Sequence, residues 1–260
     1  MLLFVLVGFV ASTYLRGCPF ISIPTTLMGM VDAAIGGKNG LNLLKQKNAV
    51  GTVYFPDFLL IDPAMLNSLP DRQFKNGLAE AVKYGIIADE ELFFWIRENA
   101  SSILRRDAQK VVYLIQKCVA IKESIVVQDP YETKNIRSIL NWGHTFAHAI
   151  ETLTGYHQLL HGEAVAIGMS CAAHLSYLLG RVDRAFIEVQ DHLLSSLGLP
   201  LTIPQELSND AIMAQMKSDK KNFNGSIQCI ISNGIGQKCE KVPVYPEVII
   251  QALESKRQKD

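Results

Sequence analysis

The chain has 260 residues, of which 48% are apolar and 19% are charged. This composition allows one large domain or two small ones with a sizeable core, and it excludes global disorder. Lys plus Arg and Asp plus Glu are both 25, so the total charge gives no reason to expect nucleic acid or a membrane surface as a partner. The five cysteines form no CxxC pair, which favours reduced thiols in a cytoplasmic protein.

The first 62 residues predict an α/β arrangement. The apolar start, MLLFVLVGFVA, is too short to span a bilayer and lacks the basic region of a secretory signal, so we expect a buried helix or strand there. Residues 19–24 are apolar and bounded by prolines, which predicts a short buried strand. Residues 51–55 and 58–61 predict two further strands, separated by Pro56 and Asp57.

A glycine-rich run, Gly36-Gly37-Lys38-Asn39-Gly40, lies within this first part. Glycines beside a lysine let the backbone approach a ligand closely, although a plain turn explains the run equally well. The spacing of a Walker A loop is missing, so the run does not predict that kind of nucleotide site.

After residue 62 the pattern becomes mainly helical. Apolar periodicity predicts helices over residues 74–87, 90–98, 108–128, 163–179 and 185–197. Near the end, residues 226–231 and 237–242 predict a strand pair around a glycine turn. We therefore expect two domains: an α/β part at 1–62 and a helical part with the strand pair at 63–260.

Four of the six histidines lie between Leu140 and Met169. His144 and His148 are four residues apart, which on a helix places both on one face, and His161 follows after a break. Imidazole is a common zinc ligand, so the stretch predicts part of a metal site, although a structural histidine pair has the same spacing. Glu80 is a candidate for the missing carboxylate, and a salt bridge to Lys83 is its alternative explanation.

Three further cations are unremarkable if each lies separately on the surface. These are Lys38, Lys122 and Arg137. If they converge on one pocket, they would suit an acidic substrate, because an arginine can grip a carboxylate through two hydrogen bonds.

Several motifs, in order along nearly the whole chain, resemble the 3-dehydroquinate synthase family. They are GFVASTYLRG, IPTTLMGMVDAAIGGKNGLN, KNAVGTVYFP, LPDRQFKNGLAEAVKYGII, LNWGHTFAHAIE, LHGEAVAIGM and DKKN. The resemblance implies a dehydroquinate synthase-like fold, in which a mainly α multihelical domain follows a partial, Rossmann-like α/β remnant.

The resemblance also implies roles for individual residues. The metal, zinc or cobalt, would be held by Glu80, His144 and His161. The catalytic groups would be His148, which handles protons, with Lys83, Lys38 and Asn141. The substrate-binding groups would be Arg16, Asp32, Asn48, Lys122, Arg137 and one of Lys220 and Lys221, for which we take Lys221. The NAD-binding positions would be Thr25, Thr26, Lys38, Lys47, Met65, Leu66, Asn67 and Ser68.

The implied reaction converts 3-deoxy-D-arabino-heptulosonate 7-phosphate, a small anionic sugar phosphate, to 3-dehydroquinate in the shikimate pathway. NAD accepts a hydride from a ring hydroxyl, phosphate is eliminated, the hydride returns, and the ring opens and closes as a carbocycle. The metal lowers the pKa of the bound hydroxyls, and the cofactor carries the redox chemistry. Members of the family are usually homodimers, so a homodimer is expected.

Two departures from the family pattern leave alternatives open. Asn39 stands where the family usually has threonine, and the glycine-rich loop of the nucleotide-binding domain is missing. We therefore expect a complete metal half, with about one metal ion per chain, and weak NAD binding. One alternative is a synthase whose chain is a fragment, has a wrongly assigned start, or comes from a split gene completed by a partner. The others are a non-catalytic metal-binding remnant and another sugar-phosphate cyclase; Lys122 and Arg137 argue against the last, because such cyclases use substrates without a carboxylate.

Overall fold

A computed structural model describes residues 2–43, 46–218 and 226–257, with side chains except at 2–4 and 42–49. The chain begins with α1 (Leu2–Thr13). Four strands follow: β1 (Ile21–Ser22), β2 (Lys38–Leu43), β3 (Gln46–Val53) and β4 (Phe58–Leu59). β2 and β3 form an antiparallel hairpin, whereas β1 pairs in parallel with β4. The expected α/β character of this part is confirmed.

Two expectations of burial in this part are wrong. The apolar N-terminal segment forms a helix, but Val7 and Val10 are each about half exposed. Within the predicted strand at 19–24, only two residues pair, and Ile21 is 64% exposed. An apolar run bounded by prolines predicts a strand, but it does not reveal whether another layer covers that strand.

The remaining chain is mainly helical, as predicted. The helices are α2 (Asp71–Ala88), α3 (Glu90–Leu104), α4 (Ala108–Gln128), α5 (His144–Leu153), α6 (His161–Leu178), α7 (Arg184–Ser196), α8 (Asn209–Lys217) and α9 (Pro246–Glu254). The predicted bounds of α4 agree with the structure, and α8 and α9 were not predicted. Side-chain caps begin several of these helices: Asp107 accepts a hydrogen bond from the Lys110 amide, and Ser208 accepts one from the Ala211 amide.

The helix α6 runs through the centre of the core. A methyl group placed on Gly168 would lie 2.2 Å from the carbonyl oxygen of Gly143, and one on Gly162 would lie 1.9 Å from that of Asn76. Because both positions are glycine, the backbone of α6 packs directly against those of α5 and α2. This close packing brings the starts of α5 and α6 beside the middle of α2.

The C-terminal strands are β5 (Ile227–Ser232) and β6 (Cys239–Val244), paired antiparallel. They confirm the predicted strand pair, displaced by one or two residues. Among the described residues, no helix is both long and apolar enough to cross a bilayer.

Candidate metal centre and adjoining cavity

Glu80, His144 and His161 come together from three helices. Glu80 lies in the middle of α2, and the two histidines are the first residues of α5 and α6. Glu80 Oε1 is 3.4 Å from Nε2 of His144 and 3.4 Å from Nε2 of His161. Two ligand atoms held at about 2.0 to 2.2 Å from a tetrahedral zinc ion are about 3.4 Å apart, so the spacing matches such a site.

The two imidazole rings are held in matching orientations. Nδ1 of His144 lies 3.0 Å from the carbonyl oxygen of Trp142, and Nδ1 of His161 lies 3.0 Å from Oε1 of Glu151. Both acceptors require a proton on Nδ1, so in the neutral form of each ring the Nε2 lone pair faces Glu80. Burial lowers the pKa of His144, assisted by Lys83. Burial acts in the same direction on His161, but hydrogen bonds to Glu151 and Glu80 outweigh it and raise its pKa to about 9.

The surroundings of Glu80 fit a metal ligand. Its two carboxylate oxygens are buried, and their close contacts are with Lys83, His144 and His161. Lys83 forms an ion pair with it through Oε2, which leaves Oε1 facing the histidines. Burial would raise the pKa of Glu80, but Lys83 and His144 hold it well below the usual range. One carboxylate oxygen and two neutral imidazoles form the donor set of many catalytic zinc sites.

The partly buried Asp32 and the buried Lys122 form a second charged cluster beside Lys83. Lys122 Nζ donates to the carbonyl oxygen of Asp32 at 2.6 Å and to Oδ1 at 2.7 Å. The Tyr84 hydroxyl donates to the same Oδ1 at 2.7 Å, and Lys83 Nζ is 3.8 Å away. Burial would raise the pKa of Asp32, but Lys122 and Lys83 outweigh it and lower it to about 2. Lys122 and Lys83 therefore both contact Asp32, whereas a common pocket for Lys38, Lys122 and Arg137 stays a prediction.

Arg137 is buried against the glycine run. Nη1 donates to the carbonyl oxygen of Pro130 at 2.7 Å, and Nη2 donates to that of Gly36 at 3.3 Å. Its Nε is buried and has no hydrogen-bond partner among the described residues. Gly36 has φ +100°, and a methyl group there would lie 2.6 Å from Nη2. The glycine therefore allows the arginine to pack against the loop backbone.

A cavity of about 360 Å³ opens beside the histidines. Asn141, His144 and His148 line it, and the rings of His144 and His148 have centroids 5.4 Å apart. Glu132 also lines it and accepts an ion-paired hydrogen bond of 2.5 Å from Lys38. Several polar lining residues were not predicted as site residues, among them Glu132, Thr145, Gln228 and Lys241. The only sequence signal for Glu132 is an acidic residue shortly before Arg137, and the signal for Thr145 is its place between two site histidines.

The other predicted residues lie in varied positions. Arg16 is exposed at the end of α1 and is absent from the lining of the cavity. Thr26 accepts a hydrogen bond from the Gly29 amide through Oγ1, and Thr25 is exposed. Met65, Asn67 and Ser68 are exposed on a 3-10 turn, but the Leu66 side chain is buried in the core, so only its backbone can face a ligand. The side chains of Lys47 and Asn48, and residues Lys220 and Lys221, lie outside the described part.

Comparison with known proteins assigns both parts of the chain. Residues 77–222 match the family model for the 3-dehydroquinate synthase C-terminal domain, and residues 3–76 match that for the N-terminal domain. The 3-dehydroquinate synthase of Rhodopirellula baltica is 41% identical over 95% of this chain and 66% of its own length. That of Thermodesulfovibrio yellowstonii is 44% identical over 88% of this chain and 64% of its own length. The chain thus spans about two thirds of the length of these relatives.

Solved structures have the same fold. The 2-epi-5-epi-valiolone synthase of Streptomyces hygroscopicus, with NAD+ and Zn2+ bound, superposes on this chain with a TM-score of 0.89 at 30% identity. The match covers 96% of this chain and 69% of the synthase. A 2-deoxy-scyllo-inosose synthase with carbaglucose-6-phosphate, NAD+ and Co2+ superposes on this chain with a TM-score of 0.86 at 28% identity. The match covers 96% of this chain and 70% of that synthase. The predicted dehydroquinate synthase-like fold is confirmed. Since the family models cover the metal-ligand candidates and both parts of the fold, the chain belongs to the 3-dehydroquinate synthase family.

Proposed function

We propose that this chain carries the metal- and substrate-binding part of a 3-dehydroquinate synthase, which converts 3-deoxy-D-arabino-heptulosonate 7-phosphate to 3-dehydroquinate and phosphate. The observation that carries the proposal is the equal 3.4 Å separation of Glu80 Oε1 from Nε2 of His144 and of His161. The identity of over 40% to curated 3-dehydroquinate synthases supports the choice of reaction.

The metal and the dinucleotide of this reaction have matching residues here. Glu80, His144 and His161 would hold zinc or cobalt, the ions present in the two cyclase structures. Such an ion supplies Lewis acidity that lowers the pKa of hydroxyl groups bound to it. NAD supplies a reversible hydride acceptor, and the exposed 3-10 turn at 63–68 is the part that we assign to it, with Thr25, Thr26 and Lys47.

The remaining residues bind and orient the substrate. His148 and Asn141 line the cavity next to His144, where an imidazole can take up and return a proton. Lys83 lies between Glu80 and Asp32, so its ammonium group balances one buried and one partly buried carboxylate beside the reacting atoms. Lys38 is half-exposed and paired with Glu132, and we expect an anionic group of the ligand to compete with Glu132 for it. Arg137, whose Nε is buried and has no hydrogen-bond partner in the part of the chain that the structure describes, suits the substrate carboxylate.

The physiological setting is part of the same proposal. We place the reaction in the shikimate pathway of aromatic amino acid biosynthesis, and the protein in the cytoplasm as a homodimer. The five cysteines are free and four are buried, which is compatible with a reducing compartment.

Phosphate release tests the proposal. The purified chain is given the heptulosonate phosphate, NAD and zinc or cobalt, and His144→Ala is the matched variant. We expect release that requires the metal and enough NAD to fill a weak site, and about one metal ion per wild-type chain. His144→Ala should lose both the bound metal and the release. No release despite bound metal would contradict catalysis by this chain and favour the metal-binding remnant.

The other candidate function is that of a different sugar-phosphate cyclase, because the fold superposes on such an enzyme with a TM-score of 0.89. A second substrate distinguishes the two functions. A heptulose phosphate without the carboxylate should be a poor substrate of the wild type. Preferential turnover of that compound would assign the chain to the other class.

A further inference from the structure

Glu151 contacts a proposed metal ligand from the side that faces away from the metal. Its Oε1 is 3.0 Å from Nδ1 of His161, and its side chain is only 6% exposed. We propose that Glu151 is a positioning residue that fixes the ring orientation and the Nδ1-protonated tautomer of His161, so that Nε2 is presented to the metal ion. This inference rests on the proposed metal centre and adds a residue to it.

The helix α5 is built to place Glu151 in this position. Glu151 follows His144 by seven residues and His148 by three, so all three share one face of the helix. The first provides a proposed ligand, the second lines the cavity, and the third reaches the ligand on the neighbouring helix. One helix face therefore contributes directly to the metal and also supports a ligand that begins α6.

The backbone of His161 is held by separate contacts. Asn76 Oδ1 accepts a hydrogen bond of 2.5 Å from the Gly162 amide. Glu163 accepts one of 2.8 Å from the Leu160 amide and is itself gripped by Arg72 through two hydrogen bonds of 2.7 and 2.8 Å. Because these contacts fix where α6 begins, the main freedom left to His161 is rotation of its ring. Glu151 removes that freedom.

The two histidine ligands differ in their outer partner. His144 donates to the neutral carbonyl of Trp142, whereas His161 donates to a buried carboxylate. A carboxylate is the stronger acceptor and makes the opposite nitrogen a better electron donor to a metal. The charge of Glu151, and not only its shape, should therefore contribute to metal affinity.

The test compares metal affinity among Glu151→Gln, Glu151→Asp and the wild type. Zinc and cobalt(II) are titrated against a chelator, and the visible spectrum of the cobalt(II) protein reports ligand geometry. We expect Glu151→Gln to weaken binding about 10- to 100-fold and to alter the spectrum, because outer partners of this kind have effects of that size. Glu151→Asp keeps the charge and should bind more tightly than Glu151→Gln. Glu123→Gln, at an exposed position on α4, should bind like the wild type.

Stability and a second variant separate the possible outcomes. A purely structural role would lower the unfolding midpoint of the metal-free protein and leave the affinity of the folded protein unchanged, which would overturn the inference. Unchanged affinity in Glu151→Gln, with binding lost in His144→Ala, would overturn the role of Glu151 and leave the metal centre intact. Absence of metal binding by the wild type would overturn both.

Discussion

Replacement of Lys122 by methionine should destabilise the protein by about 2 to 3 kcal/mol. Its ammonium group donates to both the carbonyl oxygen and Oδ1 of Asp32 within 2.7 Å, in a buried position. The lowering of the Asp32 pKa from 3.8 to about 2 corresponds to about 2 kcal/mol for all the groups around that carboxylate, of which Lys122 is the main favourable one, whereas burial lowers the pKa of Lys122 itself. Loss of one partner of a buried ion pair costs about 3 to 5 kcal/mol. The expected loss of about 2 to 3 kcal/mol lies at or below the lower end of that range, because Tyr84 and Lys83 still contact the carboxylate in the variant.

Urea unfolding of the metal-free protein at pH 7, followed by circular dichroism, measures this difference. Lys117→Met is the matched control on the same helix, since Lys117 makes a partly exposed ion pair with Asp89 and should cost at most about 1 kcal/mol. Because the Asp32 pKa is lowered on folding, its contribution is complete above pH 3.8 and disappears towards pH 2. The contribution should therefore fall to roughly half at pH 3. A loss below 1 kcal/mol at pH 7, or a difference that grows on acidification, would refute this reasoning.

Two further substitutions test the packing around the site. Arg106→Ala should lower the free energy of unfolding in urea by about 2 to 3 kcal/mol, because its guanidinium donates to three carbonyls of the turn before α2. Arg105→Ala, at an exposed neighbouring position, should lower it by less than about 0.5 kcal/mol. Equal losses in the two variants would contradict a stabilising role of the Arg106 hydrogen bonds. Gly168→Ala should cost at least about 3 kcal/mol, since the new methyl group meets the Gly143 oxygen at 2.2 Å. Gly180→Ala, where the new methyl group meets open space but φ is +69°, should cost only about 1 to 2 kcal/mol. If the Gly168→Ala protein were as stable as the Gly180→Ala protein, α5 and α6 would be able to move apart at little cost.

Much of the helical part was predictable because its signals are local. Apolar periodicity over a long segment defined α4 to the residue, and spacing placed His144 and His148 on one helix face. The grouping of Glu80 with the histidines required more than periodicity, because these residues are distant in sequence. It came from the family resemblance, and the structure places their ligand atoms within 4.8 Å of one another. Their roles in binding and catalysis stay predictions.

The partners of the buried cations were beyond sequence reasoning. Lys122 pairs with Asp32 across 90 residues, and Arg137 donates to the Gly36 carbonyl across 101. Neither separation produces a periodic pattern in the sequence. The sequence therefore indicates the cations without indicating their hydrogen-bond partners. Glu151 illustrates the same limit: its place on α5 is local, but its contact depends on how α6 packs against α5.

The arrangement of ligands on three helices has a consequence for how the protein responds to its surroundings. An ion held by Glu80, His144 and His161 would tie the middle of α2 to the starts of α5 and α6. Unfolding would then release the ion, so the free energy of binding becomes part of the free energy of folding. Above the dissociation constant, each tenfold rise in free metal would add about 1.4 kcal/mol to stability. The lifetime of the folded chain in a cell would thus follow metal supply.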